Sequence, residues 1–362
     1  MIKSLIQGLS EKDVEAMLNE YTLTEFYFPT LFPLKYVTSL KWESLEGSAG
    51  APVAADVVSW DSRAPRKRRE VLGKASGDIP KIAVGRDKTE SQMNEYNALR
   101  RLTTGSAQRA LLDWIWEDQE FCFKAVNARL EWLALRIAST GKVSLTKDTN
   151  DGVVTEFAVD FKIPTANKSG YGSDAAITVA NKATSKPISK IRAVVKAAKA
   201  KGKKLNYIFT DQDMADAILA SDETVAFVAP WVMQATNLTT SPSLLSLNTA
   251  LRNQGLPQIG VVESYVNIEI KGERTQVNPW EAGVMLFSET NVLGNTQHSN
   301  LADEDVDSTI SIKQKREHVL IKRFAQEEPL TESVIALANA FPVMNNTDAK
   351  WLVDGLNANW SK

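Results

Sequence analysis

The chain has 362 residues, 43% of them hydrophobic and 24% charged, with a formal charge of -2. That balance excludes a disordered chain, and no apolar run approaches the roughly 18 residues of a membrane span. A general nucleic-acid coat would be more basic overall, so strong non-specific phosphate binding by the chain as a whole is not expected.

The opening MIKSLIQGLSEKDVEAML mixes charged and apolar residues at helical spacing and lacks the unbroken apolar run of a signal peptide, so the chain is expected to stay in the cytosol. Ser10 to Tyr21 reads as a short helix with Ser10 as N-cap. Next comes FYFPTLFPLKYV, where Pro29 and Pro33 break regular structure. Its aromatic side chains, Phe26, Phe28, Phe32 and Tyr36 among them, cannot form a core of their own, so the segment is expected to pack as an arm against something else.

Two strands, VAADVVSW and IPKIAVG, are expected to flank a polar stretch as a long hairpin. Its tip carries Arg63, Arg66, Lys67, Arg68 and Arg69, followed by Glu70. Five cations there repel one another unless an acidic partner faces them; a neighbouring subunit and plain solvent exposure both fit, nucleic acid less well. From Ser106 the apolar positions Leu111, Ile115, Cys122, Val126, Leu130, Leu133 and Ile137 recur every three or four residues and stop before Gly141, the clearest helix signal in the chain. Roughly 35 residues at 1.5 Å each make a helix about 50 Å long, which implies an elongated molecule.

KVSLT and VVTEFAVDF read as a second hairpin and IPTANKSGYGSD as a loop. Pro187 opens a helix with Ile188, Ile191, Val194 and Val195 on one side and Gly202 as its stop. LNYIF is a strand leading to Thr210 and Asp211, either of which can cap the helix DMADAILAS. IGVVESY, VNIEIK and AGVMLFS follow as strands, and EHVLIKRF and SVIALANAF flank the turn EEPLTE.

Motifs for chemistry are missing. His298 and His318 have no spacing to cysteines or carboxylates that closes a tetrahedral site, and DEDVDS has Ser308 where a calcium loop requires Gly. Asp303, Asp305 and Asp307 therefore read as a solvated acidic loop, with a role opposite the basic hairpin as the other reading. No nucleophile elbow or phosphate-cradling glycine loop occurs. No cofactor, metal or catalytic residue is expected. The lone Cys122 excludes an internal disulfide and sits on an apolar stripe as a small buried hydrophobe. Lys196, Lys199, Lys201, Lys203 and Lys204 close a predicted helix, where cations complement the macrodipole, a reading preferred over a nucleic-acid site.

The order of elements, together with NVLGNTQ at 291–297, the closing FPVM before Asp348 and the unit LNYIFTDQDMADAIL, resembles the lambda-type phage major capsid protein E family. The likeness covers nearly the whole chain in element order. It implies an α+β Hong Kong 97-like capsid fold: an N-terminal arm (1–46), an extended loop (47–88), a peripheral domain with a spine helix (89–171), an axial domain (172–311), and return strands with the C-terminus (312–362). It further implies hexamers and pentamers of this chain in an icosahedral virion shell assembled in a bacterial host, with scaffold, portal, a possible decoration protein and packaged DNA as partners. A protein nanocompartment shell of the same fold is the alternative, and an unrecognised hydrolase or transferase is a more distant one.

Overall fold

The computed structural model describes residues 3–6, 9–46, 73–101, 105–147, 149–150, 157–232, 241–306 and 308–362. Helix α1 (Glu11–Glu20) starts as expected at Ser10, whose hydroxyl accepts from the Asp13 amide while the Asp13 carboxylate accepts from the Ser10 amide. A single turn α2 (Phe28–Leu31) and a short strand β1 (Leu34–Tyr36) follow, and then strands β2 (Lys41–Glu46), β3 (Gly73–Asp78) and β4 (Lys81–Lys88). β2 and β3 form an antiparallel ladder from Lys41↔Asp78 to Glu46↔Gly73.

The expected hairpin is thereby corrected at its base. IPKIAVG lies largely in β4, which pairs antiparallel with a late strand over Lys81–Lys88, and the partner of the ladder is the Gly- and Lys-bearing stretch read as polar tip. The physical reason is burial: Ile82 and Val84 pack against the main core, where a free-standing hairpin would leave them wet. VAADVVSW lies outside the described residues.

Helix α3 (Glu90–Arg101) leads into α4 (Gly105–Thr140), 36 residues and about 54 Å long. Strands β5 (Lys142–Leu145) and β6 (Phe157–Asp160) pair antiparallel as expected. Strand β7 (Lys168–Gly170) emerges from the stretch read as loop. Helix α5 (Pro187–Ala200), strand β8 (Tyr207–Thr210), helices α6 (Gln212–Ala220), α7 (Asp222–Val232) and α8 (Leu244–Asn253), and strands β9 (Gln258–Val261), β10 (Val266–Ile270), β11 (Glu273–Val277) and β12 (Val284–Ser288) come next. The chain closes with β13 (Gly294–Ser299), β14 (Ile312–Arg316), β15 (Val319–Glu327), β16 (Leu330–Met344) and β17 (Lys350–Asp354).

Two sheets organise these elements. In the first, β16 is the common member, pairing with β4, β13 and β15, while β1 adds parallel to β13 and β14 to β15. Helix α4 lies across it, and Cys122, Phe123, Val126, Leu130, Leu133 and Ile137 join Val334, Ala336, Ala338 and Ala340 in one core. Small alanines along β16 let the helix approach closely. The second sheet runs β7-β17-β12-β8-β9, with α5, α6 and α8 contributing Ile191, Ile218 and Leu251 to its core.

Two strands cross the expected lobe boundaries. β13, expected in the axial lobe, belongs to the first sheet, and β17, expected among the return strands, belongs to the second. Every residue of β17 is buried, as a strand packed on both faces requires.

Candidate assembly surfaces

The root of the β2–β3 hairpin is held by a few contacts. Trp42 is buried, its ring 5.5 Å from Phe161 and 5.7 Å from Phe341. Gly77 stands opposite Trp42 in the ladder, and a Cβ there would lie 2.8 Å from the indole nitrogen. Only glycine leaves space for the ring to fold over the partner strand. Ser44 donates its hydroxyl to the Met344 carbonyl at 2.5 Å. On the outer edge of β2 a side chain does the work of a strand: the Gln297 amide nitrogen donates to the Glu43 carbonyl at 2.7 Å, and its oxygen accepts from the Glu43 amide at 3.2 Å.

Gln297 belongs to NVLGNTQ, and the buried members of that segment tie together three parts of the molecule. The Leu293 amide donates to the Leu31 carbonyl, and the Leu293 carbonyl accepts from the Asn345 amide. Gly294 passes so near β16 that a Cβ would sit 1.9 Å from the Val343 carbonyl oxygen. The Thr296 hydroxyl donates to the Phe32 carbonyl at 2.8 Å. Arm, sheet and hairpin therefore meet on one strand.

The arm packs mainly within its own chain. Phe28 and Phe32 are fully buried in the chain's own core, so they are not free to dock on another subunit. Phe26 is partly buried against the same core, 6.1 Å from the Phe28 ring, and only Tyr36, 50% exposed, remains open to a neighbour. What the sequence reading missed is the anchor: the Glu131 carboxylate, buried on α4, accepts the Tyr27 and Phe28 amides at 3.0 and 2.7 Å, capping α2. Burial pushes its carboxyl above the usual range against the opposing pull of those two amides. Arg316 adds its guanidinium to the Leu18 and Tyr21 carbonyls. Beneath the arm the two histidines meet, with ring centroids 6.1 Å apart, His318 edge-on to Phe28 and His298 edge-on to Tyr36.

The start of the chain is pinned by a second buried carboxylate. Glu332 accepts the Ser4 hydroxyl and the Leu5 amide, both at 2.6 Å, and pairs with the fully buried Arg323 at 3.3 Å. The Arg323 guanidinium also donates to the Ile115 carbonyl, joining this cluster to α4.

A family model for phage major capsid protein E matches residues 20–353. The chain belongs to the phage major capsid protein E family. No curated protein matches it. Its fold is the Hong Kong 97-like capsid fold. A prophage protein of Escherichia coli CFT073 assigned to the capsid superimposes with a TM-score of 0.58 at 14% identity, covering 96% of this chain and 99% of the other. A phage-related protein of Bordetella bronchiseptica RB50 does so with a TM-score of 0.53 at 12% identity, covering 96% and 98%.

In this capsid protein Arg63, Arg66, Lys67, Arg68, Arg69 and Glu70, expected at a hairpin tip, lie outside the described residues, as does Asp307. The acidic loop is not the solvated patch expected from its composition. Asp303 is held by Lys313 at 3.4 Å and Lys322 at 3.2 Å, and Glu304 by Lys315 at 2.7 Å. Lysines of β14 and β15 thus neutralise it within the chain, which leaves exposed Asp305 as the available carboxylate among its described residues. Cys122 is fully buried, and burial pushes its thiol up to about 12, so it packs and does not react.

Proposed function

We propose that this capsid protein builds the icosahedral head of a tailed bacteriophage from hexamers and pentamers, enclosing packaged double-stranded DNA, in a structural role without catalysis. Assembly in the host cytoplasm around a scaffold and a portal, with a decoration protein as a further partner, belongs to the same reading. The observation that supports it best is the hairpin root within a chain matched over residues 20–353 by the family model. β2 ends at Glu46 opposite the start of β3 at Gly73, and Trp42, Ser44 and the Gln297 clamp hold the root of that pair. Tyr36 and Leu40, 50% and 55% exposed, flank that root and offer apolar surface to a neighbour.

Arg63, Arg66, Lys67, Arg68 and Arg69 reach an acidic surface of an adjacent subunit in this reading, with Glu70 beside them. Since Asp303 and Glu304 are already paired in their own chain, other carboxylates answer them. Head-to-tail contacts of this kind present two different surfaces on each subunit and close into rings. Electron microscopy of the expressed chain, with its natural helpers, is expected to show closed shells. Reversing Arg66→Glu, Arg68→Glu and Arg69→Glu is expected to leave a folded, soluble subunit without shells; normal particles from that variant would refute the role of the tip.

A further inference from the structure

Residues 175–210 contain nine lysines and arginines and no aspartate or glutamate, in a chain whose formal charge is -2. All nine fall between Lys182 and Lys204, on and around α5. The helix buries Ile188, Ile191, Val194, Val195 and Ala198, while Lys182, Lys186, Arg192, Lys196, Lys199 and Lys204 are exposed.

Folding accounts for few of these charges. A helix macrodipole favours cations in the last turn, which covers Lys199, and disfavours them at the N-terminus, where Lys182, Lys186 and Lys190 stand. The fold answers that end of α5 with a carboxylate, Glu223, which accepts the Ile188 and Ser189 amides. Arg192 lies 5.4 Å over the Phe227 ring, Lys201 bonds Asn167, and Asp174 is the acidic group acting on half-buried Lys190. Lys182, Lys186, Lys196 and Lys199 form no ion pair among the described residues.

The side chains between the cations identify the partner's class. Ala193, Ala197 and Ala200 are the exposed apolar residues of α5, with no aromatic or large aliphatic group to anchor a protein. Protein interfaces concentrate energy in such anchors, and bidentate recognition of fixed carboxylates favours arginine. Nucleic-acid interfaces are instead polar and strongly positive, and lysine point charges suit phosphates whose positions vary with sequence and register.

We infer that the exposed face of α5 is a sequence-independent binding surface for duplex DNA through its phosphates, centred on Lys186, Lys196 and Lys199. The inference rests on the reading of this chain as a shell around double-stranded DNA, and it assigns the face that meets the genome. From Lys186 to Lys199 the helix rises about 20 Å, long enough to follow several phosphates of one strand.

The test uses the full chain as unassembled subunits, a random-sequence fluorescent duplex, and anisotropy titrations from low to moderate salt. Binding of the unmodified chain should weaken steeply with salt. The triple variant K186Q/K196Q/K199Q should lower the logarithmic salt slope by roughly two to three, since each phosphate contact contributes about 0.9. The corresponding triple Lys→Arg variant should restore it.

An unchanged slope in the glutamine variant overturns the inference, as does failure of the unmodified chain to bind duplex. Tighter binding to polyglutamate than to duplex of equal charge also overturns it, by pointing to an acidic protein segment. Particles are scored by electron microscopy on the same preparations. Loss of the underlying reading would appear as absence of shells from the unmodified chain, whereas loss of this inference would appear as an unchanged slope in a chain that does form shells.

Discussion

The N-terminal arm and the β2–β3 hairpin pose the same problem, since neither can build a core alone, and the fold answers them in opposite ways. The arm is taken in. Phe28 and Phe32 sink fully into the main core, and Glu131 satisfies the backbone amides at the turn between them and α1. The described root of the hairpin is held by Trp42 over Gly77, by Ser44 and by the two hydrogen bonds of Gln297. The arm is fixed chiefly by burial of its aromatic rings, whereas the described root of the hairpin combines one buried ring, Trp42, with polar ties from Ser44 and Gln297.

If that contrast is right, removing an arm aromatic should damage the whole subunit. Phe28→Ala is expected to cost about 3–5 kcal/mol, the range for a fully buried phenylalanine. Urea denaturation of unassembled subunits measures it as a lower midpoint at unchanged slope. A loss below about 1 kcal/mol would mean that burial of the arm's aromatic rings contributes little to holding the fold.

Acid sharpens the comparison, because it acts through the two histidines beneath the arm, whereas Trp42, Ser44 and Gln297 at the hairpin root do not titrate. Burial holds His318 at about 3, with His298 and Lys315 adding repulsion and Asn127 bonded to its ring. Above the ordinary value near 6.5 both folded and unfolded chains carry a neutral ring, and the stability is fully present. As pH falls from 6.5 toward 3 the unfolded chain takes up a proton that the folded chain refuses, so stability is lost at up to about 1.4 kcal/mol per pH unit from this group. His298, also lowered by burial and by Lys315 with Glu304 opposing, adds in the same direction. At pH 4.5, His318→Gln is therefore expected to narrow the acid loss by roughly 2–3 kcal/mol relative to the unmodified chain. Parallel stability-versus-pH curves for the two proteins would remove His318 from this role.

Legibility in the sequence follows the same division. α1, α4 and α5 were readable because a cap, a period or a proline-to-glycine frame is local, as are the apolar alternation of β10 and the apolar runs of β12, β15 and β16. β13 was not readable as a strand. Its Thr296, Gln297, His298 and Ser299 are all buried, and polar residues declare themselves as interior only through partners such as the Phe32 carbonyl and the Glu43 backbone, more than 250 residues away. The arm's aromatic residues were recognisable as needing burial, yet nothing local showed that the chain's own α4 supplies it through Glu131. NVLGNTQ carried the family resemblance without revealing why, and the structure supplies the reason in the three connections it makes.

Gln297 provides the finest cut through the contrast, because its side chain touches the hairpin and leaves the arm's core contacts alone. Gln297→Leu keeps the volume of a strand residue and removes one donor and one acceptor from the outer edge of β2. The Glu43 amide and carbonyl then lose these two bonds, at about 1–2 kcal/mol in total where water can partly replace them. Because the hairpin is fastened locally, that loss should appear as local opening and not as a shift of the global midpoint. Hydrogen exchange at Glu43 and its β2 neighbours should speed up roughly tenfold, while the amides of α2 and β16 stay protected. Equal acceleration in all three would mean that the hairpin root and the arm form one cooperative unit, and that the difference between them exists in packing alone.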